Sequence, residues 1–148
     1  MAMPAWTAAN GAEQMVRAIV ETCVDKVANA TPLRSQGLQQ GSGRSYRTAD
    51  GSVVVMDPTA DYACQVVGSA EPGPVSEGLA TWAEAAARYE LVGSVPMSSR
   101  DRRGLYVYGV APAGGYLQIH LTNLPDGRMG ALITRSEVNR DARAVLGQ

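Results

Sequence analysis

Residues 104–122, "GLYVYGVAPAGGYLQIHLT", contain two runs of alternating side chains on either side of a segment rich in glycine and proline. Alternation with a period of two is typical of strands that bury one face, and the "APAGG" between the runs is a plausible turn. A similar run, "MGALITR" at residues 129–135, follows a second turn, "NLPDGR". The last third of the chain therefore predicts a meander of antiparallel strands.

Two helices are predicted ahead of this meander. In residues 10–30, "NGAEQMVRAIVETCVDKVANA", apolar residues recur every three or four positions, which is the spacing of an amphipathic helix. Asn10 is the predicted cap of this helix, with Glu13 in the capping-box position. A second helix is predicted within residues 71–91, "EPGPVSEGLATWAEAAARYEL", opened by Pro74.

Further strands are expected between the two helices. Residues 45–58, "SYRTADGSVVVMDP", predict a hairpin because a central Asp-Gly pair favours a tight turn. Residues 62–68, "YACQVVG", alternate like a strand. The apolar spacing after Ser136 indicates a short final helix.

This order of elements predicts one domain over residues 1–148. Its fold class is α+β: a two-layer domain with an antiparallel sheet of about five to six strands and two main helices packed on one face. Residues 1–9 are expected to be disordered or foreign to the domain.

One surface is a candidate for binding, and it contains the single histidine, His120. In its strand the aliphatic residues 117, 119 and 121 are expected to face the core, so His120 faces the other way. A five-residue turn places Tyr108 opposite Gln118 and Tyr106 opposite His120, and it puts residues 105 and 107 in the core set. A turn shorter by one residue exchanges these partners. With the longer turn, the outward face carries five candidate residues: Tyr106, Tyr108, Tyr116, Gln118 and His120.

Tyrosines beside hydrogen-bonding neighbours are typical of binding surfaces, although cross-strand tyrosines also serve simply to stiffen an exposed sheet. We therefore expect a non-enzymatic binding or inhibitor-like module that takes a protein or a small ligand. The alternative is a small hydrolase or ligand-processing enzyme that uses His120, because histidine titrates near neutral pH. The sequence contains neither G-x-S-x-G nor H-E-x-x-H, so no catalytic residue is assigned.

The composition argues against several classes of partner. The formal net charge is −1, from 13 basic and 14 acidic residues, and nucleic acids and anionic membranes both favour a clear basic excess. Binding of nucleic acid through Arg44, Arg47 and the arginines of residues 100–103 is a weaker alternative. One histidine and two cysteines are too few for a usual metal site, so we expect no metal and no cofactor.

The two cysteines, Cys23 and Cys64, allow two interpretations. They are either buried free thiols of a cytoplasmic protein or a single disulfide of an exported one. Cys23 lies on the apolar stripe of the first helix, and Cys64 alternates with Tyr62 and Val66. If that face of the strand is the core face, the two thiols lie in one layer and can pair; if it faces outward, Cys64 is beyond reach.

The helix ending in "ETCVDKVANA", the "PLRSQG" loop, the hairpin and "DYACQVV" resemble small exported proteins of alphaproteobacteria. This resemblance covers the first half of the chain, and it implies that the helical cysteine and the strand cysteine are paired. It also implies a periplasmic or secreted location, the alternative being the cytoplasm. The first residues lack the basic and apolar regions of a signal peptide, which fits either an unexported chain or one already processed.

Overall fold

The computed structural model of this chain describes residues 11–29, 31–34, 37–58, 63–95, 103–110 and 115–136. Helix α1 covers residues 11–29 and is α-helical at both ends, with a π-helical centre: Gly11–Arg17, Ala18–Val24 and Asp25–Asn29. Helix α2 is Pro72–Ala86. The strands are β1 Gln39–Gln40, β2 Ser45–Arg47, β3 Val53–Met56, β4 Ala63–Gly68, β5 Tyr89–Val95, β6 Arg103–Val110, β7 Tyr116–Asn123 and β8 Met129–Ser136.

All of these strands belong to one antiparallel sheet of eight strands in the order β1-β2-β3-β4-β8-β7-β6-β5. Within the described residues, each half of the chain supplies one helix followed by four strands, and the halves meet where β4 pairs with β8. The predicted α+β class is confirmed. The predicted number of five to six strands is wrong, mainly because α2 ends earlier than its alanine-rich sequence indicates. Ala87 has a positive φ of 58°, which stops the helix and lets Tyr89 begin β5.

The two helices contact the sheet differently. Helix α1 lies across β3, β4 and β8, whereas α2 packs against the first part of α1 and against β5. Gly78 brings the helices close together, since a Cβ at this position would come within 2.7 Å of Val16. The prediction that both main helices pack on one face of the sheet is therefore wrong, because α1 lies over the central strands whereas α2 packs mainly against α1 and the edge strand β5.

The core fills the space between α1 and the strands. The face of the sheet that contacts α1, called the α1 face below, carries aliphatic residues from each central strand. Burial of these side chains supplies most of the driving force for folding. Fully buried members of this core include Met15, Ile19, Val53, Val55, Val66, Leu79, Leu117, Ile119, Leu121 and Ile133.

A disulfide joins Cys23 of α1 to Cys64 of β4, with a Cα–Cα distance of 5.3 Å. Both cysteines are fully buried, and Cys64 shares the α1 face with Val66. The expected pairing of the two cysteines is therefore confirmed, and the interpretation as free thiols is wrong. The alternation of "YACQVVG" places Cys64 on the face of β4 that α1 covers. This is the first of the two arrangements that the sequence allows, in which the two thiols can pair.

The end of α1 is fixed by a buried lysine. Lys26 is 3% exposed, and its Nζ donates to an Asp57 carboxylate oxygen and to the carbonyl oxygens of Pro58 at 3.2 Å and Ala63 at 2.9 Å. Arg44 donates to the same carboxylate at 3.2 Å. A buried charge is tolerated only when it is paired and hydrogen-bonded, and here those partners connect α1 to the segment between β3 and β4.

The register of β6 and β7 differs by one residue from the prediction. Gly109 lies opposite Tyr116, and the backbone N–H of Val110 donates to the carbonyl of Gly115 at 3.3 Å. The turn is therefore one residue shorter than "APAGG", and a shift of one residue moves every side chain of β6 to the other face. Tyr106 and Tyr108 lie on the α1 face.

Leu105 and Val107 consequently lie on the opposite face and not with the residues that face α1, which corrects their predicted side of the sheet, although Val107 is fully buried there. The tyrosine-bearing outward surface predicted from residues 106, 108, 116, 118 and 120 does not exist as one face. Several other expectations lie outside the described residues: the Asn10 cap, the short final helix, the state of residues 1–9 and the arginines at positions 100 and 102.

Candidate functional site

Tyr106 and Tyr108, two of the five candidate binding residues, have structural roles. The Tyr106 hydroxyl hydrogen-bonds the Ser76 hydroxyl of α2 at 2.6 Å. The Tyr108 ring meets the Trp82 ring edge-on at a centroid distance of 5.8 Å, and Trp82 packs on Tyr89 at 4.7 Å. Burial, followed by the neighbouring Tyr106, raises the pKa of Tyr108 to about 12. In a chain without phenylalanine, these tyrosines supply the large aromatic groups beneath α2.

The other three candidates, Tyr116, Gln118 and His120, lie on the opposite face of the sheet. Gln118 is fully buried there, beside the fully buried Val107 of β6. Tyr116 and His120 are half-buried. The Nε2 atom of His120 and the Oε1 atom of Gln118 are 3.3 Å apart and hydrogen-bonded. Of the five predicted residues, only His120 and Tyr116 are therefore partly accessible on that face.

A recess of about 330 Å³ lies beside His120. One of the residues that line it is Gly130 of β8, which stands between Val67 of β4 and Thr122 of β7 in the register of the sheet. Gly130 adds no side chain to this row, and the Leu124 side chain packs beside it. A Cβ at Gly130 would be 3.6 Å from the nearest atom of Leu124, an ordinary van der Waals distance.

An exposed cross-strand row passes along the recess. Direct pairing across neighbouring strands places Met56, Gln65, Leu132, His120 and Leu105 side by side on the face opposite α1. Met56 is 36% exposed and Leu132 is 37% exposed. We call these five residues the His120 row. Its strands follow the order β3, β4, β8, β7 and β6, so the row runs across ~19 Å of the sheet.

Sequence reasoning found His120 but missed the rest of its row. The alternation of "MGALITR" does separate Gly130 and Leu132 from the buried Ala131 and Ile133. However, no local pattern indicates that β8 lies between β4 and β7, which requires pairing between distant parts of the chain. The neighbours of His120 on β4 and β8 were therefore not predictable from its own hairpin.

The recess is suited to an uncharged group. Its described lining includes the side chains of Gln65, Val67, Thr122 and Leu132, none of which carries a charge. The described hydrogen bond of His120 is to the side-chain amide of Gln118. Within the described ranges, no group of three or more His, Cys, Asp or Glu residues is placed to hold a metal ion. The helices that the structure describes are too short or too polar to cross a membrane.

Comparison with known proteins does not assign this chain to a family. No protein-family model matches the sequence, and no curated protein is significantly similar to it. The geometry and chemistry of the His120 row are therefore the basis on which a function has to be argued.

Proposed function

We propose that this protein is a non-enzymatic binding module, and that it binds a protein partner through the His120 row and the recess at Gly130. The observation that carries the proposal is the recess beside the exposed Leu132 and the half-buried His120. A partner side chain placed in the recess would contact aliphatic groups and still find hydrogen-bonding partners at its rim. Interface centres commonly combine apolar contact with a few hydrogen bonds in this way.

The extent of the surface favours a protein over a small ligand. Small-ligand sites usually surround most of the ligand, whereas this recess is formed by side chains standing on one face of a sheet. Exposed aliphatic groups continue beyond it from Leu132 to Met56. A rigid antiparallel sheet holds these groups in place, so little conformational entropy is lost when a partner covers them.

The charge of the surface limits the kind of partner. None of the five residues of the His120 row carries a fixed charge, so the row offers no permanent positive charge to phosphate groups. The contacting surface of the partner is therefore expected to be uncharged at its centre.

The proposal includes export to an oxidising compartment, periplasmic or extracellular. The Cys23–Cys64 disulfide supports it, because structural disulfides persist in such compartments and are rare in the cytosol. Membership of a group of exported alphaproteobacterial proteins is part of the same proposal.

The experiment is capture of a partner on the immobilised, oxidised full chain. Extracts and culture medium of the producing organism are applied to the wild type and to Leu132→Asp, and bound proteins are quantified by mass spectrometry. The control is Ala80→Asp, which adds the same charge at an exposed position of α2. We expect one protein to be enriched by the wild type and by the control but reduced about tenfold by Leu132→Asp, a loss of ~1.4 kcal/mol.

A second variant tests the recess itself. Gly130→Ala adds a methyl group that meets Leu124 at an ordinary contact distance, so the fold is expected to persist while the recess shrinks.

A photo-reactive residue at the exposed position 65 should crosslink the captured protein, and the same residue at position 80 should not. Equal capture by the wild type, Leu132→Asp and Gly130→Ala would refute the proposal.

The alternative of a small hydrolase using His120 has less support. The sequence contains neither G-x-S-x-G nor H-E-x-x-H, the motifs that would supply a nucleophile or a metal site for hydrolysis. A hydrolytic activity that is found in a substrate screen and lost in His120→Ala would favour this alternative over a binding module.

A further inference from the structure

The two edges of the sheet are very different. At one edge, β1 is only two residues long and consists of Gln39 and Gln40. At the other, β5 is seven residues long and hydrogen-bonds β6 on one side only within the described part of the chain. A short polar strand is a common way to protect an edge from pairing, and β5 lacks this protection.

The composition of β5 also favours pairing with another strand. Leu91, Val92 and Val95 are 48%, 37% and 47% exposed. The strand contains neither proline nor lysine, the residues that most often block edges, and Glu90 is its single charge. Its one irregularity is a bulge between Leu91 and Gly93.

We propose that β5 pairs with β5 of a second copy of this chain, antiparallel and about a two-fold axis. In the pairing that fits the strand, Glu90 lies opposite Val95, Leu91 opposite Ser94, and Val92 opposite Gly93. The two sheets then form one continuous sheet across the dimer.

In this register, residues that lie opposite each other in the two copies of β5 are on the same face of the sheet, despite the bulge. Leu91 and Ser94 pair with Tyr108 and Tyr106 and therefore share the α1 face. Glu90 and Val95 pair with Gly109 and Leu105, so both belong to the opposite face. Residues opposite each other in an antiparallel pair point to the same face, and this pairing satisfies that rule.

Val92, the bulged residue, belongs to the opposite face as well. Its Cγ1 atom lies 3.7 Å from the position that a Cβ of Gly109 would occupy, and the neighbouring Gly93 pairs with Val107 of that face. The bulge of one copy therefore lies across from the bulge of the other.

The charges of the self-paired strand are compatible with this arrangement. Each Glu90 lies opposite a valine, and the two Glu90 side chains are at opposite ends of the paired segment, ~17 Å apart along the strands. Like charges therefore do not face each other, whereas aliphatic side chains from both copies lie side by side. The strand complements itself, which favours a second copy over an unrelated extended peptide.

The proposed contact limits the assembly to two copies. In an isologous pair the same edge is used by both copies, so neither copy retains an open β5. Continued growth would need the edge at β1, and a strand of two residues offers too few backbone groups for it. The expected species is therefore a dimer and not a fibre.

Sedimentation velocity of the oxidised full chain over a wide concentration range tests the proposal. We expect a reversible change from 15.6 kDa to twice that mass. Val92→Lys should raise the dissociation constant at least about tenfold, because lysine on an edge strand opposes pairing. Leu132→Lys is the matched control: it changes an aliphatic residue that is also 37% exposed, and we expect the dimer to be unchanged.

Hydrogen exchange gives an independent measurement that does not depend on the folding of a variant. Amide protection of residues 89–95 should increase with concentration, while that of β1 should not. A chain that remains monomeric at all concentrations, or one that grows beyond a dimer, would overturn the proposal. A dimer that survives Val92→Lys, or one that is lost in Leu132→Lys, would also overturn it. The absence of a dimer, or a dimer that survives Val92→Lys, would leave the proposal for the His120 row unaffected, because its test uses a different partner.

Discussion

The Cys23–Cys64 disulfide provides the most quantitative prediction, and its perturbation is the double variant Cys23→Ala/Cys64→Ala. The bond connects cysteines separated by 41 residues. In the chain-entropy model, a loop of this length reduces the entropy of the unfolded chain by about 13 cal/mol/K, which is about 4 kcal/mol at room temperature. Ordinary domains have stabilities of roughly 5–15 kcal/mol, so this is a large share of the total.

Urea denaturation of the oxidised wild type and of the double variant measures this contribution. We expect the free energy of unfolding to fall by about 4 kcal/mol and the melting temperature by roughly 8–16 °C. Either single alanine variant breaks the same bond, so each should lose nearly as much as the double variant. A double variant within about 1 kcal/mol of the wild type, or single losses that add up to the double loss, would refute this reasoning.

Two further predictions concern buried polar groups. Lys26→Met removes the buried cation but leaves the Asp57 carboxylate near the interior, so we expect a loss of ~3 kcal/mol in urea denaturation, and a smaller loss when Asp57→Asn is added. Unchanged stability of Lys26→Met would show that the ion pair does not hold α1. For Tyr108, the raised pKa of about 12 predicts that its phenol ionises at a pH well above the ordinary value for tyrosine in an ultraviolet titration. Since the folded-state pKa lies above the ordinary 10.0, the unfolded chain loses this proton first, and stability should fall as pH rises from about 10 to about 12. The Tyr108→Phe variant should lack this late step; its persistence would assign the step to another tyrosine.

The sequence predicted those features that depend on local periodicity. The apolar stripe of the first helix placed Cys23 toward the sheet, and the alternation around Cys64 placed this residue in the same layer. The antiparallel meander was predicted for the same reason, because each strand has one consistently apolar set. A prediction that rests on a repeating pattern remains correct when the ends of the helix or strand are misplaced by a residue or two.

The register of β6 and β7 could not be predicted, because both faces of β6 are acceptable as a core face. One face carries Leu105 and Val107, and the other carries Tyr106 and Tyr108. Tyrosine is amphipathic, so its presence does not indicate whether a face is buried. The face of β6 that contacts the core depends on the length of the turn between β6 and β7. A difference of one residue in this turn exchanges the two faces.

Long-range contacts account for the rest of what was missed. Gly130 stands beside Val67 and Thr122 only because β8 lies between β4 and β7, and β4 and β8 are far apart in the sequence. The early end of α2 depends on the positive φ of Ala87, whereas alanine is normally the strongest helix former. Neither feature leaves a periodic pattern in the sequence.

The most direct test of the binding proposal is hydroxyl-radical footprinting of the complex with the captured partner. Met56 and Leu132 are exposed residues of the His120 row, and Met129 is fully buried and serves as an internal reference. Binding through this row predicts that oxidation of Met56 and Leu132 slows several-fold in the complex while that of Met129 stays low in both states. Oxidation of Met56 and Leu132 at the rate of the free protein, with the partner bound, would contradict the proposal.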